Sequence, residues 1–506
     1  MTTIRFNLTS KQAPLWLALN LILVSACGGS GGSDSAVTPP ATGNPPPVVI
    51  PPPVTNAPTF TNVAVHDPSV IKVGADFYIF GSHLAAAKSA DLQHWTLVAD
   101  GVNANNKLMP NAATEIKETF DWAQTSTLWA ADVIEIGGKF YMYYNACKGD
   151  SPRSALGIAV ADSVEGPYKN QQLLLKSGMW GEPSEDGSIY DATIHPNVVD
   201  PDVFFDKNGR LWMLYGSYSG GLFILELDKA TGIPLPDQGY GKHLMGGNHS
   251  RIEGGYVLYS PDSDYYYLFV SFGGLDANGG YNIRVARSSN PEGPYFDALG
   301  NSMADVKSNP ALPLFDDASI APFAEKLMGN FLFERKSTDA GTGIGTGYVS
   351  PGHNSAYYDE NSEQYFLIFH TRFPQQGEQH QVRVHQMFIN KNGWPVVAPH
   401  RYAANADKTV TAEQLVGSYK LIEHGKDISA DIKKPLSMNL LADGTISGDK
   451  TGRWVYGVNQ QISIQLDGSG SYEGAVSRQW HETPAKWTVT FSALSAEGKT
   501  VWGSQN

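Results

Sequence analysis

Asp200-Pro-Asp-Val-Phe-Phe-Asp-Lys-Asn-Gly, followed by Leu211-Trp-Met-Leu-Tyr-Gly-Ser, is the stretch on which the fold turns. It reads as a β-hairpin: an apolar run, a turn made of Asp206-Lys-Asn-Gly, then a second apolar run. The same pattern occurs four more times. Asp67-Pro-Ser-Val-Ile leads to Phe77-Tyr-Ile-Phe-Gly-Ser, and Asp132-Val-Ile-Glu-Ile passes through Gly137-Gly138 to Phe140-Tyr-Met-Tyr-Tyr. Glu253 and Tyr256-Val-Leu-Tyr lead to Tyr265-Tyr-Tyr-Leu-Phe-Val-Ser. His353-Asn-Ser-Ala-Tyr-Tyr leads to Gln364-Tyr-Phe-Leu-Ile-Phe-His. A long-period repeat of hairpins is the signature of radial all-β architecture, in which each blade's inner strand begins at a central channel. Closure of the repeat is expected to gather Asp67, Asp132, Asp200, Glu253 and His353 around one axis.

Composition fits this reading. The 506 residues suffice for one large core and a second, smaller one. Gly 52, Tyr 24 and Trp 11 suit many turns and aromatic surfaces, and apolar residues fall in short or alternating runs rather than helical ones. The net charge of −14, with no basic cluster, excludes a nucleic-acid groove and favours a neutral partner such as a sugar.

The flanks differ from the repeat. Residues 1–27 read as a lipoprotein signal: Arg5 and Lys11 flank an apolar run too short for a comfortable membrane span, and Val24-Ser-Ala-Cys27 is similar to a bacterial lipobox. Cys27 is the expected lipidation site, and by the same resemblance Gly28 after it favours the outer membrane in a Gram-negative cell. Residues 28–58, rich in Gly, Ser and Pro, read as a disordered spacer. With Cys27 lipidated, Cys147 stands alone and is expected to be a packed thiol. The catalytic unit is placed at 59–405. Gly341-Thr-Gly-Ile-Gly-Thr-Gly inside it reads as a surface loop, because it matches neither Gly-x-Gly-x-x-Gly nor a βαβ context. Residues 411–506 show short alternating strands with Asp-Gly turns and read as a small antiparallel barrel or sandwich. Its aromatics are either a sugar-binding surface or the packing of an accessory domain.

The chemistry is suggested by carboxyl groups. Glycoside hydrolysis needs one ionised carboxylate to activate water and one protonated carboxyl to feed the leaving oxygen. A third carboxylate nearby keeps the acid protonated by like-charge repulsion. Asp67, Asp200 and Glu253 supply such a trio. Asp67-Pro68 and Asp200-Pro201 repeat one dipeptide at two blade starts, and proline fixes the backbone behind each carboxylate.

At these residues the chain resembles the family 43 glycoside hydrolases, and within them the secreted endo-α-1,5-L-arabinanases with a C-terminal β domain. The matching strings are Val65-His-Asp-Pro-Ser-Val, Thr127-Leu-Trp-Ala-Ala-Asp-Val, Val199-Asp-Pro-Asp-Val-Phe-Phe-Asp, Arg251-Ile-Glu-Gly-Gly-Tyr, Tyr267-Leu-Phe-Val-Ser-Phe-Gly-Gly-Leu, Gly280-Tyr-Asn-Ile-Arg-Val-Ala-Arg-Ser and Gly352-His-Asn-Ser. The resemblance implies a five-bladed β-propeller and inversion, with Asp67 as general base, Glu253 as general acid and Asp200 tuning and orienting the acid. It also implies that His353 faces an axial metal ion, Ca²⁺, although a histidine hydrogen-bonded across the channel is the plainer alternative. Trp129 and Trp122 are expected as stacking platforms or as core tryptophans. Asp132 is expected either to hydrogen-bond sugar hydroxyls or to stabilise its blade, and Asn145 and Ser217, which end the second and third hairpins, to line the same cleft. His66 and His370 are read as structural. Where the family often has Trp-Ala-Pro-Asp and Glu-Gly-Pro-Tyr, this chain has Trp129-Ala-Ala-Asp132 and Glu253-Gly-Gly-Tyr256, which leaves the backbone freer.

The expected activity is cleavage of internal α-1,5 bonds in arabinan and arabino-oligosaccharides by a secreted, membrane-anchored monomer. The alternatives are an exo-acting α-L-arabinofuranosidase or β-xylosidase, and a non-catalytic surface glycan-binding propeller.

Overall fold

Five antiparallel sheets and one closed barrel make up the protein in a computed structural model that describes residues 57–405 and 409–506. The predicted signal, Cys27 and nearly all of the spacer lie outside the described residues.

The hairpin that opened the sequence becomes the third sheet, with strands Asp202–Phe205, Leu211–Tyr215, Leu222–Leu227 and Lys242–Met245 in simple up-and-down order. Its turn is shaped by Asp206, whose buried carboxylate accepts from the amides of Asn208 and Arg210, from Arg210 Nε at 2.9 Å and from Trp212 Nε1 at 3.2 Å. An Asp that caps its own turn in this way replaces the ladder bonds the turn forgoes. Gly209 completes the turn at φ 76°, a conformation that side chains resist.

Every residue of Leu211–Tyr215 is buried, because a propeller blade is covered on both faces. The two faces serve different neighbours, as the two-residue period of a strand requires. Leu211, Met213 and Tyr215 pack with Tyr143, Leu156 and Ile158 of the second sheet. Trp212 and Leu214 pack with Val257, Tyr266 and Leu268 of the fourth. The first sheet runs from Ser69–Val73 to Thr96–Ala99, the second from Asp132–Ile136 to Lys169–Lys176, and the fourth from Ile252–Ser260 to Glu325–Met328. The fifth adds a leading strand, Phe331–Glu334, ahead of Gly345–Asp359, Gln364–Arg372, His380–Ile389 and Pro395–Val397. Val70 and Ile79 share a core with Phe366, Ile368, Val382 and Val384, so the last blade packs on the first and the ring closes.

Two sequence expectations change here. Gly345–Gly347 is strand rather than loop, paired with Leu332–Glu334. Glycine lets the two backbones approach: a Cβ at Gly347 would lie 2.3 Å from the Phe331 carbonyl oxygen. His353 lies well inside Gly345–Asp359 rather than at its start, at a place where the register with the next strand shifts.

The C-terminal part is a closed eight-stranded barrel, from Gly417–Glu423 to Thr500–Gln505, whose first and last strands pair. Trp454, Trp480 and Trp502 are buried, so these barrel aromatics pack rather than present a sugar surface. Trp502 and Ile422 join the core of the fourth and fifth blades, with Trp502 edge-on to Phe331 at 5.0 Å. Polar bonds cross the same seam: Thr500 Oγ1 donates to the Lys326 carbonyl at 2.7 Å, and Lys326 Nζ donates to the His424 carbonyl at 3.1 Å.

Candidate active site

The blades enter the channel through turns at one end. Asp67-Pro68-Ser69, Ala130-Ala131, Asp200-Pro201, Gly255-Tyr256 and His353-Asn354 line one small axial cavity there. Asp67, Asp200 and His353 all hold positive φ, at 58°, 56° and 45°. Non-glycine residues in this region carry strain that the surroundings must impose, and such strain gathers at functional sites.

Three imidazoles surround Asp67. Its Oδ1 lies 2.8 Å from His66 Nδ1, 3.1 Å from His353 Nδ1 and 3.5 Å from His370 Nδ1. Ser82 Oγ donates to Oδ2 at 2.6 Å. Burial alone would push this carboxyl up, but His353 and His66 hold it well below the usual carboxylate range. Asp67 is therefore a buried, ionised carboxylate. The Asp67 amide donates to His370 Nδ1 at 3.2 Å, and burial keeps His370 neutral. His66 stacks on His370 at 3.9 Å; burial pulls its pKa down, but the Asp67 charge outweighs this and raises it. His66, Asp67 and His370 are spaced closely enough to ligate a metal. Nδ1 of each histidine is, however, already directed at Asp67 or its amide.

Glu253 has the opposite character. Burial raises its pKa, Asp67 adds repulsion, and His353 and two hydrogen bonds only partly offset this. The two donors are Ser217 Oγ, to Oε2 at 2.8 Å, and Tyr281 OH, to Oε1 at 2.9 Å. Asp200 is pushed well above its ordinary range by burial first, then by Glu253 and Asp67. Asp200 and Glu253 thus titrate as one pair that keeps a proton beside the ionised Asp67. Gly254 makes the arrangement possible: it sits at φ 59°, and a Cβ there would come within 3.0 Å of the His353 ring. An ionised carboxylate facing a proton-holding carboxyl pair can run general acid–base hydrolysis.

The comparisons agree with this chemistry. The model of glycosyl hydrolases family 43 matches residues 57–317, and that of a C-terminal lipocalin-like domain matches 399–503. Extracellular endo-alpha-(1->5)-L-arabinanase 2 of Bacillus subtilis is 59% identical over 449 residues, 88% of this chain and 94% of its own length. This chain belongs to glycosyl hydrolase family 43. An extracellular endo-alpha-(1->5)-L-arabinanase of Thermotoga petrophila is 50% identical, over 88% of this hydrolase and 94% of its own length. Among solved structures, a family 43 protein of Bacillus licheniformis, YxiA, superposes with a TM-score of 0.85 at 59% identity, covering 88% of this chain and 99% of that one. The crystal structure of endo-1,5-alpha-L-arabinanase from Thermotoga petrophila gives 0.84 at 49% identity, covering 89% and 100%. The five-bladed propeller with a C-terminal barrel, and the assignment as a glycoside hydrolase, follow.

The other predicted residues of the hydrolase fall in different places. Ser217 touches Glu253, as above. Asp132 does not join the ring at the channel mouth; Ala130 occupies that position in the second blade. Asp132 lies two residues further along, where Ser69 Oγ donates to one oxygen and the Val203 amide to the other, at 2.7 Å. It ties three blades together. Asn145 is fully buried and donates to the Ala130 carbonyl, so it braces that turn rather than facing the cleft. Trp122 donates Nε1 to the Ser177 carbonyl at 3.1 Å and lies under the Arg153 guanidinium, 4.3 Å from its ring, on the outer part of the second blade. Trp129 is half-buried, its amide bonded to the Asn145 carbonyl at 3.0 Å. Cys147 is a buried free thiol, pushed up by burial.

Sequence reasoning missed Tyr281 and Ser82 and set aside His66 and His370. Each stood inside or beside a quoted string, but only the fold shows what lies opposite. Tyr281 stacks on His370 at 6.1 Å while bonding Glu253, so it links the acid side of the site to the base side.

Proposed function

We propose that this hydrolase cleaves internal α-1,5-L-arabinofuranosidic bonds of arabinan with inversion. The observation that carries the reading is the opposed state of its carboxyls, in a chain matched over nearly its whole folded length by endo-arabinanases. Asp67, ionised, draws a proton from water attacking the anomeric carbon. Glu253 delivers a proton to the departing glycosidic oxygen, and Asp200 keeps that proton available and orients its carrier. Inversion needs a water between base and sugar, which sets the two carboxyl groups roughly 6.5–9.5 Å apart. Ser217, by its bond to Glu253, positions the acid. Trp129 is the remaining candidate for stacking on a sugar ring near the cleft, since a half-buried indole presents a large apolar face.

The residues around the axial cavity fit a calcium ion. Both side-chain polar atoms of Asn354 and the hydroxyl of Ser355 are buried without partners, and His353 sits beside them. Calcium favours oxygen donors and retains water, so Asn354 and water would hold it, with His353 at its edge. When bound, it would supply positive charge to the axial site. We also read the chain as an extracellular monomer, anchored to the outer membrane by lipid on Cys27; support comes from the Val24-Ser-Ala-Cys27 string and from relatives named extracellular.

The direct test is the product pattern on linear arabinan. Mixed short oligosaccharides appearing early support endo cleavage. Arabinose or one fixed oligomer from the start would establish an exo enzyme instead, and binding without release of sugar a glycan-capture protein. Chelation should lower activity and thermal midpoint together, and added calcium should restore both; indifference to chelator refutes the metal.

A further inference from the structure

Beside the acid lies an exposed apolar loop that the mechanism does not use. Leu312, Leu314 and Phe315 are 38%, 65% and 46% exposed. An exposed aromatic beside a catalytic carboxyl is an unusual use of apolar surface. Phe315 is also held at φ 67°, a backbone conformation costly for a bulky residue.

The segments that hold Glu253 also hold this loop. Phe315 packs against Tyr218 with ring centroids 5.7 Å apart. Tyr218 directly follows Ser217, the Glu253 donor, and its own hydroxyl donates to the Gly273 carbonyl at 3.2 Å. Arg251, two residues before Glu253, grips Asp317 through both Nε, at 3.1 Å, and Nη2. The Asp316 carboxylate accepts from the Ala318 amide at 2.9 Å and stiffens the turn after Phe315. The ring is therefore fixed to the two segments that carry Ser217 and Glu253.

We propose that Phe315, backed by Tyr218, is a stacking platform for an arabinofuranosyl residue on the leaving-group side of the scissile bond. This rests on the arabinan reading above. The acid protonates the leaving oxygen, so sugar lying beyond the acid belongs to the departing chain. A furanose is neutral and offers C–H groups that pack on an aromatic face. The loop carries apolar surface where charged residues would serve solubility alone, and its rigid anchoring spares the ring an ordering cost on binding.

The test is steady-state kinetics on linear arabino-oligosaccharides with F315A, F315L and F315W, each checked for an unchanged thermal midpoint. F315A should raise KM about tenfold, with kcat within about twofold, because a stacking contact held through the reaction binds ground and transition states alike. F315W should restore KM and F315L should not, since leucine keeps apolar bulk without a ring. An F315A enzyme with wild-type KM, or F315L equal to wild type, overturns the platform. So does a fall in kcat at constant KM, which would make Phe315 a prop for the acid. Should F315A not fold, the contrast between F315L and F315W still decides. Failure of the wild type to cut arabinan would instead remove the functional reading itself.

Discussion

The second and third blades begin with equivalent turns and put them to different uses. The third opens Asp200-Pro201-Asp202; the second opens Ala130-Ala131-Asp132. At the inner level the two match. Asp132 accepts the Val203 amide of the following blade, and Asp202 accepts the Val257 amide of the following blade, each at 2.7 Å. At the mouth they part, with Asp200 beside Glu253 in one and a methyl group in the other. Two residues of depth separate a carboxylate that joins blades from one that tunes chemistry. All three aspartates are buried and raised by burial, Asp132 to about 6. A shifted pKa therefore does not separate the two roles; proximity to Glu253 and Asp67 does.

Mouth-level changes should destroy turnover and spare the fold. E253Q should lower arabinan hydrolysis by about 10²–10⁴-fold, the usual worth of a general acid. An aryl arabinofuranoside with a good leaving group should retain most of its rate, since it needs no proton. D67N should lose a similar factor on both substrates, because water activation is common to them. Asparagine tolerates the positive φ of Asp67, so the fold should survive. Parallel losses in the two variants on the aryl substrate would dissolve the division of labour between them.

D200N tests the tuning role with a smaller effect. In the wild type, burial and repulsion hold the Asp200–Glu253 pair above its ordinary range, so the acid keeps its proton and the alkaline limb of the rate profile lies above pH 4.5. Replacing Asp200 removes a negative charge, which makes ionisation of Glu253 easier. The alkaline limb should move to lower pH, while the acidic limb, set by the depressed Asp67, stays below pH 3.8. An unmoved alkaline limb would reduce Asp200 to a geometric role.

The contrast between the blades also marks how far the sequence could be read. The repeat and the carboxyl trio were legible because each depends on local pattern: apolar runs, turn residues and a doubled Asp-Pro. The depth of Asp132 was not, because a hairpin repeat aligns strands only to within a residue or two. The two-residue offset appears when Val203 and Val257 supply the amides that define the level. Tyr281 and the histidine cage escaped for another reason. Tyr281 meets Glu253 within its own blade but 28 residues away, and His370 and His353 reach Asp67 from another blade, 303 residues away in the case of His370; no local pattern encodes such pairings. The packing of the barrel tryptophans was likewise settled by closure of the sheet, which strand alternation alone leaves open between barrel and sandwich.

Inner-level changes should do the reverse of mouth-level ones: weaken the fold and leave chemistry in place. D202A strands the buried Val257 amide, and D132A strands the Val203 amide together with the Ser69 hydroxyl. An unsatisfied buried donor costs about 1–3 kcal/mol. Both variants should show lower thermal midpoints with kcat and KM near wild type at temperatures where they remain folded. Asp132 adds a pH signature. Its carboxyl is raised from 3.8 to about 6 in the folded protein, chiefly by burial, so it binds its proton more tightly there than in the unfolded chain. The stability this lends is full below pH 3.8 and is lost as pH rises through about 6. The difference in midpoint between wild type and D132A should therefore be greatest at low pH and shrink toward neutrality. A difference that grows with pH would mean that Asp132 is held ionised by its donors, and that the inner level too is electrostatically poised rather than merely bonded.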